Sequence, residues 1–281
     1  MRLSLCTITF RHHLLSLEDI ARWAAANDFQ GIELWGAHAR NMQHMTDHNA
    51  DWMAAFGLSV PMLSDYLPLD EDLASLRHAT SNLCRLAGRW GARKVRTFAG
   101  KSASRDTSPE ARWRLSARLK DACMMAQDQG CQLLVETHPG TLADTLSSTQ
   151  RLLEEVDHPA LAINFDTLHV WEGGADPVAA HRALLPHIRH YHLKNVRSRA
   201  DLAVLEPANV YAAAGKRTGM TALFDGAVDY LQFLDELFER EQVDASLEWF
   251  GGDCFNILAN DARNMRLLRA DREAPIRAGV A

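Results

Sequence analysis

The sequence predicts a (β/α)8 barrel, an α/β TIM barrel of a single domain. Three observations carry that reading. Short β-prone runs alternate with amphipathic, helix-prone segments along the whole 281-residue chain, the pattern that specifies a parallel sheet wrapped by helices. The alternation completes eight units, in a length close to the roughly 250 residues typical of such barrels. No glycine-rich phosphate-binding turn follows the first strand, which argues against a doubly wound open sheet.

The elements follow in order. Residues 3–10, "LSLCTITF", read as the first strand. Polar Ser4, Thr7 and Thr9 interrupt the apolar run, and no small-residue cleavage site follows, so it is not a signal peptide. Ser16 ahead of "LEDI" predicts the start of a helix over 17–27. Strands are predicted at 31–36, 58–66 and 94–100, with a helix at 71–89 between the last two. "TSPE" at 107–110 puts Pro109 in the first turn of a helix over 109–128. The fifth strand, 132–138 "QLLVETH", precedes a helix at 147–156, and the sixth, 161–169, precedes one at 176–185 opened by "DPVAA". The seventh strand, 188–195, leads into a long irregular stretch at about 196–225, and a loop of that length predicts a substrate-binding role. A helix at 226–241, the eighth strand at 244–251 and a helix over roughly 256–270 complete the series, giving one barrel domain over 1–281.

Composition narrows the function. Hydrophobic residues make up 47% of the chain, enough for a large core, yet no run approaches the roughly 18 apolar residues of a membrane span. Net charge is −6 and no basic block could track a phosphate backbone, so neither nucleic acid nor a membrane is an expected partner. Five scattered cysteines form no C-x-x-C pair and predict neither zinc ribbon nor disulfide framework, as suits a reducing cytoplasm. Trp and Met residues on the helices leave room for a homo-oligomer.

Chemistry in this fold gathers at the C-terminal ends of the strands. Glu136, Asp166, His192 and Glu248 stand at the ends of the fifth to eighth strands. Each is charged or titratable after an apolar run, where burial without a partner is costly, and converging carboxylates repel one another. A divalent cation removes both objections. Three carboxylates and one imidazole suit Mn2+, Mg2+ or Co2+ better than structural zinc. The two-residue period of a strand puts His138 on the face of Glu136 and Lys194 on that of His192, with His190 deeper; His169 lies just beyond the sixth strand. These groups predict a general base, a general acid and a stabiliser of oxyanion charge, with His169 also able to support the ligands. Arg96, and Lys216 and Arg217 in the long loop, predict a small anionic substrate, with Tyr66 and Tyr211 as hydroxyl donors or packing residues. His12 and His13 are ambiguous; His38, His44 and His48 fall in a polar loop and are expected at the surface.

The strand-end pattern resembles the xylose-isomerase-like barrel superfamily. Longer stretches, "SLCTITFRHH", "GIELWGAHARN", "RTFAG", "VETHPGTLADTLSST", "NFDTLHVWEGGADPV", "HYHLKN", "EPANVYAAAGKRTGM" and "ASLEWFG", look like the metal-dependent 3-dehydroshikimate dehydratases of the petrobactin siderophore pathway, from about residue 3 to about 255. That resemblance implies conversion of 3-dehydroshikimate to protocatechuate. It also implies Glu136, Asp166, His192 and Glu248 as metal ligands, His138, His169 and Lys194 beside the substrate, and Arg96, Tyr66 and Arg217 as holders of its carboxylate and hydroxyls. A ketose isomerase or epimerase using the same metal centre is the alternative.

Overall fold

The computed structural model describes residues 1–240 and 242–278. Eight parallel strands close into a barrel: β1 (Arg2–Cys6), β2 (Gly31–Trp35), β3 (Leu63–Ser64), β4 (Lys94–Thr97), β5 (Gln132–Glu136), β6 (Leu161–Asp166), β7 (Ile188–Leu193) and, after a small ribbon of β8 (Asn195–Val196) against β9 (Met220–Thr221), β10 (Asp244–Leu247), which pairs back onto β1. Outside run α1 (Leu17–Ala26), the short α2 (Gly36–Asn41) and α3 (Ala50–Ala54), α4 (Leu73–Arg89), α5 (Pro109–Asp128), α6 (Leu146–Val156), α7 (Thr167–Glu172), α8 (Pro177–Leu184), α9 (Pro207–Val210), α10 (Tyr230–Phe238) and α11 (Cys254–Ala278). The expected caps are in place: Ser16 and Asp19 form a reciprocal capping box, and Ser108 and Asp176 accept from the first turns of α5 and α8 ahead of Pro109 and Pro177.

Alternation along each strand separates two environments. Outward residues such as Leu133, Val135, Ile163, Phe165, Leu193 and Leu247 join the helices in one large apolar core. Among the described residues, Met62, Leu134 and Ala162 form a small apolar cluster inside the barrel. The rest of the interior is polar and buried: Ser4, Glu33, Ser64, Arg96, Glu136, Asn164, Asp166, His190, His192, Lys194 and Ser246. Stability therefore resides in the shell between barrel and helices, and the lumen is left to chemistry.

Four sequence expectations change. The first strand stops at Cys6 and residues Thr7–Phe10 coil into a tight turn. There the Thr7 hydroxyl accepts from the Trp35 amide (2.9 Å) and the Thr9 hydroxyl from that of Trp249 (3.1 Å), so the segment caps its neighbours instead of extending the ladder. The third strand shrinks to two residues because Pro61 has no amide to donate; upstream only an isolated bridge joins Ser59 to Gly31. The stretch 196–225 is not irregular throughout, since it carries β8, a 3-10 turn at Arg199–Leu205, α9 and β9. Likewise the polar loop holding His38 is partly helical, and His38 sits half-buried against the Trp35 ring.

Gly31 opens β2 where three chain segments meet. A Cβ there would lie 2.6 Å from Ser4 Oγ and 2.7 Å from the Ser59 carbonyl oxygen. Gly31→Ala is expected to cost about 1–3 kcal/mol, read as a lower urea midpoint; an unchanged midpoint would contradict this close approach.

Candidate functional site

Three of the four predicted ligands converge. Glu136 is the last residue of β5 and Asp166 the last of β6, while His192 points inward from β7. Their ligand atoms all lie within 4.8 Å of one another. His192 Nδ1 is 3.5 Å from Glu136 Oε1 and 3.9 Å from Asp166 Oδ2. It is buried without a hydrogen-bond partner, although Nε2 of the same ring meets both oxygens of Glu33 at 3.0 and 2.9 Å. Asp166 doubles as the N-cap of α7: Oδ1 accepts from the His169 amide (3.1 Å), which leaves Oδ2 facing the lumen.

Glu248, immediately after β10, enters from the far side, where its Oε2 is held by the Lys194 ammonium. The same Nζ lies 2.6 Å from Asp166 Oδ2, so Lys194 bridges two carboxylates. Burial alone would push the Lys194 ammonium down, but Asp166, Glu248 and Glu136 hold it well above the ordinary lysine value. It is a fixed cation, not a free-amine base. Arg96 Nε lies 2.9 Å from Glu136 Oε2, with its guanidinium over the rings of Phe98 and Tyr66.

The arrangement fits a dication. Glu33, Glu136, Asp166 and Glu248 are four buried carboxylates facing two buried cations, Arg96 and Lys194. With His192 neutral, one divalent ion would close the difference, and the unpartnered Nδ1 is the nitrogen placed to meet it. Oxygen-rich donors plus one imidazole match hard or borderline metals.

His138 lies two residues beyond β5, its ring against Phe98 (4.2 Å between centroids) and His169 (4.5 Å). Nδ1 donates to the Pro139 carbonyl at 2.7 Å, so Nε2 carries the lone pair. Burial, reinforced by the nearby His169, pushes His138 down to about 3, which keeps it neutral. His169, in α7, places Nδ1 2.7 Å from Glu172 Oε2, a pairing one turn apart on the same helix. Sequence reading missed Glu172, although its three-residue spacing from His169 marks it. It also passed over Glu33, whose signal is a carboxylate in the middle of "GIELW".

Tyr66 and Tyr211 face each other across the mouth, their hydroxyls 2.7 Å apart, with Tyr211 stacked on Trp35. Arg217 is not brought to the site: it donates to the carbonyls of Asn209, Ala212 and Lys216 and stitches the loop together. Lys216 pairs through its amide with Asn209 Oδ1 in the same stitch. His12 Nε2 bonds the Val210 carbonyl at 3.1 Å and His13 packs by Cys254, so neither reaches the lumen. The inner cavity, about 50 Å³, is walled by Arg96, Phe98, Glu136, His138, His169, Lys194, Glu248 and Phe250 and roofed by Leu205, Pro207, Val210 and Tyr211. A cleft of about 480 Å³ adjoins it through Phe98, His138 and His169. A larger cavity of about 600 Å³, lined by Arg2, Lys94 and Asp244, lies at the opposite mouth, where residues of this fold serve stability and not chemistry.

Comparison with known proteins places the chain in a family of such barrels. The family model for the xylose isomerase-like TIM barrel matches residues 21–279. A 3-dehydroshikimate dehydratase of Bacillus anthracis is 46% identical over 264 residues, 92% of this chain and 94% of that protein. The crystal structure of the probable 3-DHS dehydratase AsbF, involved in petrobactin synthesis in Bacillus anthracis, superposes with a TM-score of 0.89 at 45% identity, covering 94% of this chain and 98% of that one. A more distant barrel, a Mycobacterium smegmatis protein in complex with magnesium, shares the fold at a TM-score of 0.71 and 17% identity over 96% of this chain and 97% of that one.

If the lumen takes a dication, saturating Mn2+ stabilises the EDTA-stripped protein by about 2.7 kcal/mol at a hundredfold excess over Kd. A thermal melt should show that rise in the wild type and its loss in Asp166→Asn; equal rises in both would remove Asp166 from the site.

Proposed function

The chain belongs to the xylose isomerase-like TIM barrel family, and on that premise we propose that it is a metal-dependent 3-dehydroshikimate dehydratase, a hydro-lyase that forms protocatechuate. The observation that carries the reading is a neutral, desolvated imidazole, His138, poised with a bare Nε2 beside a carboxylate-rich lumen that lacks two positive charges. Likeness to the Bacillus anthracis dehydratase over nine-tenths of the chain supports the choice of substrate. The ketose isomerase alternative shares the proton abstraction but not the loss of water.

Glu136, Asp166, His192 and Glu248 are the residues proposed to hold the metal, Mn2+ or Mg2+ with Co2+ also suited to the donors. Bound there, it would polarise the 3-keto group of the substrate and acidify the proton on carbon 4. His138 takes that proton through Nε2, its ring held in position by the bond from Nδ1 to the Pro139 carbonyl. Lys194 stands by the developing oxyanion as a fixed cation. His169, backed by Glu172, hands a proton to the departing 5-hydroxyl, which leaves as water. Loss of a proton from carbon 6 and protonation at the 3-oxygen then give the aromatic diol, so the sum is substrate to product plus one water.

Arg96, Tyr66 and Tyr211 line the cavity where the substrate carboxylate and hydroxyls would sit, with Phe98 and Phe250 as walls for a flat ring. Arg217 contributes through the roof it braces. An inner cavity of about 50 Å³ is far smaller than the roughly 300 Å³ and upward of small-molecule sites. The adjoining cleft of about 480 Å³, which shares Phe98, His138 and His169 with it, supplies the remaining room for a substrate. No helix among the described residues is long and apolar enough to cross a membrane. All five cysteines are free, as suits a cytoplasmic enzyme.

Purified protein with Mn2+ should convert 3-dehydroshikimate to protocatechuate, followed by ultraviolet absorbance, and EDTA should stop it. An absent product with metal bound would return the isomerase reading to the front. His138→Ala should lower kcat by about 10²–10⁴-fold with metal affinity unchanged; substantial residual turnover would sink its assignment as the base.

A further inference from the structure

Beneath the proposed metal site lies a second buried layer that the chemistry above does not use. Glu33 on β2 is fully buried, and its Oε2 sits 2.9 Å from Nε2 of His192 and 3.2 Å from Nε2 of His190. Oε1 accepts from the Ser64 hydroxyl, with Cys6 Sγ at 3.7 Å. His190 Nε2 also meets Ser246 Oγ at 2.8 Å, and His190 Nδ1 lies 3.3 Å from the Lys94 ammonium. Lys94 in turn is anchored on Asp244 at 2.6 Å and on the Arg189 carbonyl at 3.1 Å.

The direction of each bond can be assigned in sequence. An ammonium only donates, so His190 Nδ1 accepts from Lys94. Its proton is then on Nε2, where it serves Glu33 and Ser246. A carboxylate only accepts, so Glu33 also takes the Nε2 proton of His192. Against the effect of burial, the surrounding carboxylates raise His192 and favour a second proton on Nδ1, which a bound cation would replace; in that neutral ring Nδ1 is the lone-pair atom, turned toward Glu136 and Asp166 with no partner of its own. The row from Lys94 to His192 thus sets the tautomer and ring orientation of a wholly buried ligand. Glu33, His190 and His192 also bring ligand atoms within 4.8 Å of one another, but both Nε2 atoms there are turned to Glu33 and the Lys94 ammonium adds a positive charge beside His190, which disfavours a second cation in this layer.

We propose that Glu33 is a positioning residue for the metal centre, holding His192 with Nδ1 free for the ion and supplying the fourth carboxylate that the dication neutralises. The inference rests on the reading of His192 as a ligand. Partners of this kind on metal-bound histidines are worth about 10–100-fold in affinity.

The test is calorimetric titration of the EDTA-stripped full-length protein with Mn2+, together with visible spectra of the Co2+-loaded protein. Glu33→Gln keeps the side-chain volume and is expected to weaken Mn2+ binding by about 10–100-fold and to shift the Co2+ d–d bands, because the imidazole donor changes. Ser246→Ala, which removes only a hydroxyl on His190, should leave those bands in place. His192→Ala separates the two claims. Undiminished Mn2+ affinity in His192→Ala would overturn the ligand reading; lost affinity there, with wild-type affinity and spectrum in Glu33→Gln, would overturn the positioning role alone. Should Glu33→Gln not fold, Ser64→Ala withdraws the hydroxyl that holds Oε1 and should weaken Mn2+ binding severalfold, and wild-type affinity in that variant would equally overturn the proposal.

Discussion

The charge held inside the barrel is the constraint on which the rest of this structure depends. A TIM barrel lumen is ordinarily packed with branched apolar side chains, but here the apolar filling is three residues, Met62, Leu134 and Ala162. Above them stand four carboxylates and two cations, all excluded from water. Uncompensated charge in such a place is expensive. The large apolar shell between strands and helices is what makes it tolerable, and the proposed dication would make it neutral.

From that constraint the placement of the reactive groups follows. Each carboxylate is oriented by a further contact of its own. Asp166 caps α7, Glu136 faces Arg96, and Glu248 is tied to Lys194. The imidazole of His138, the proposed base, is kept neutral by its burial. It sits outside the charged layer, against Phe98 and His169, with its tautomer set by a backbone carbonyl. The loop over the site is braced by Arg217, Arg11 and His12 through its own carbonyls, and Tyr211 ties its tip across the mouth through the Tyr66 hydroxyl and the Trp35 ring.

Much of this is legible in the sequence, for physical reasons. Charged residues ending apolar runs, as in "LLVE" and "INFD", have few explanations in a parallel barrel, and the two-residue period gives the inward face of β5 and β7. Asp166 and His169 are visible as strand end and following turn. What escapes is set by neighbours distant in sequence. Glu33 lies in a strand that looks like any other, and its role exists only because β7 brings two histidines to it across the lumen. Arg217 reads as a substrate ligand until the loop folds back and its carbonyls claim the guanidinium. The early end of β1 depends on hydroxyls of Thr7 and Thr9 meeting amides of residues 35 and 249. The shortness of β3 depends on Pro61, and of these features it is the one that a local rule about proline in strands would have revealed.

The most direct test is a crystal structure of the protein soaked with Mn2+, with the ion located by anomalous scattering. The expected result is one strong peak about 2.1–2.3 Å from Nδ1 of His192 and from carboxylate oxygens of Glu136 and Asp166, with Nε2 of His192 still on Glu33. A lumen without a peak, or an ion seated between Glu33 and His190, would contradict a single dication held above the Glu33 layer.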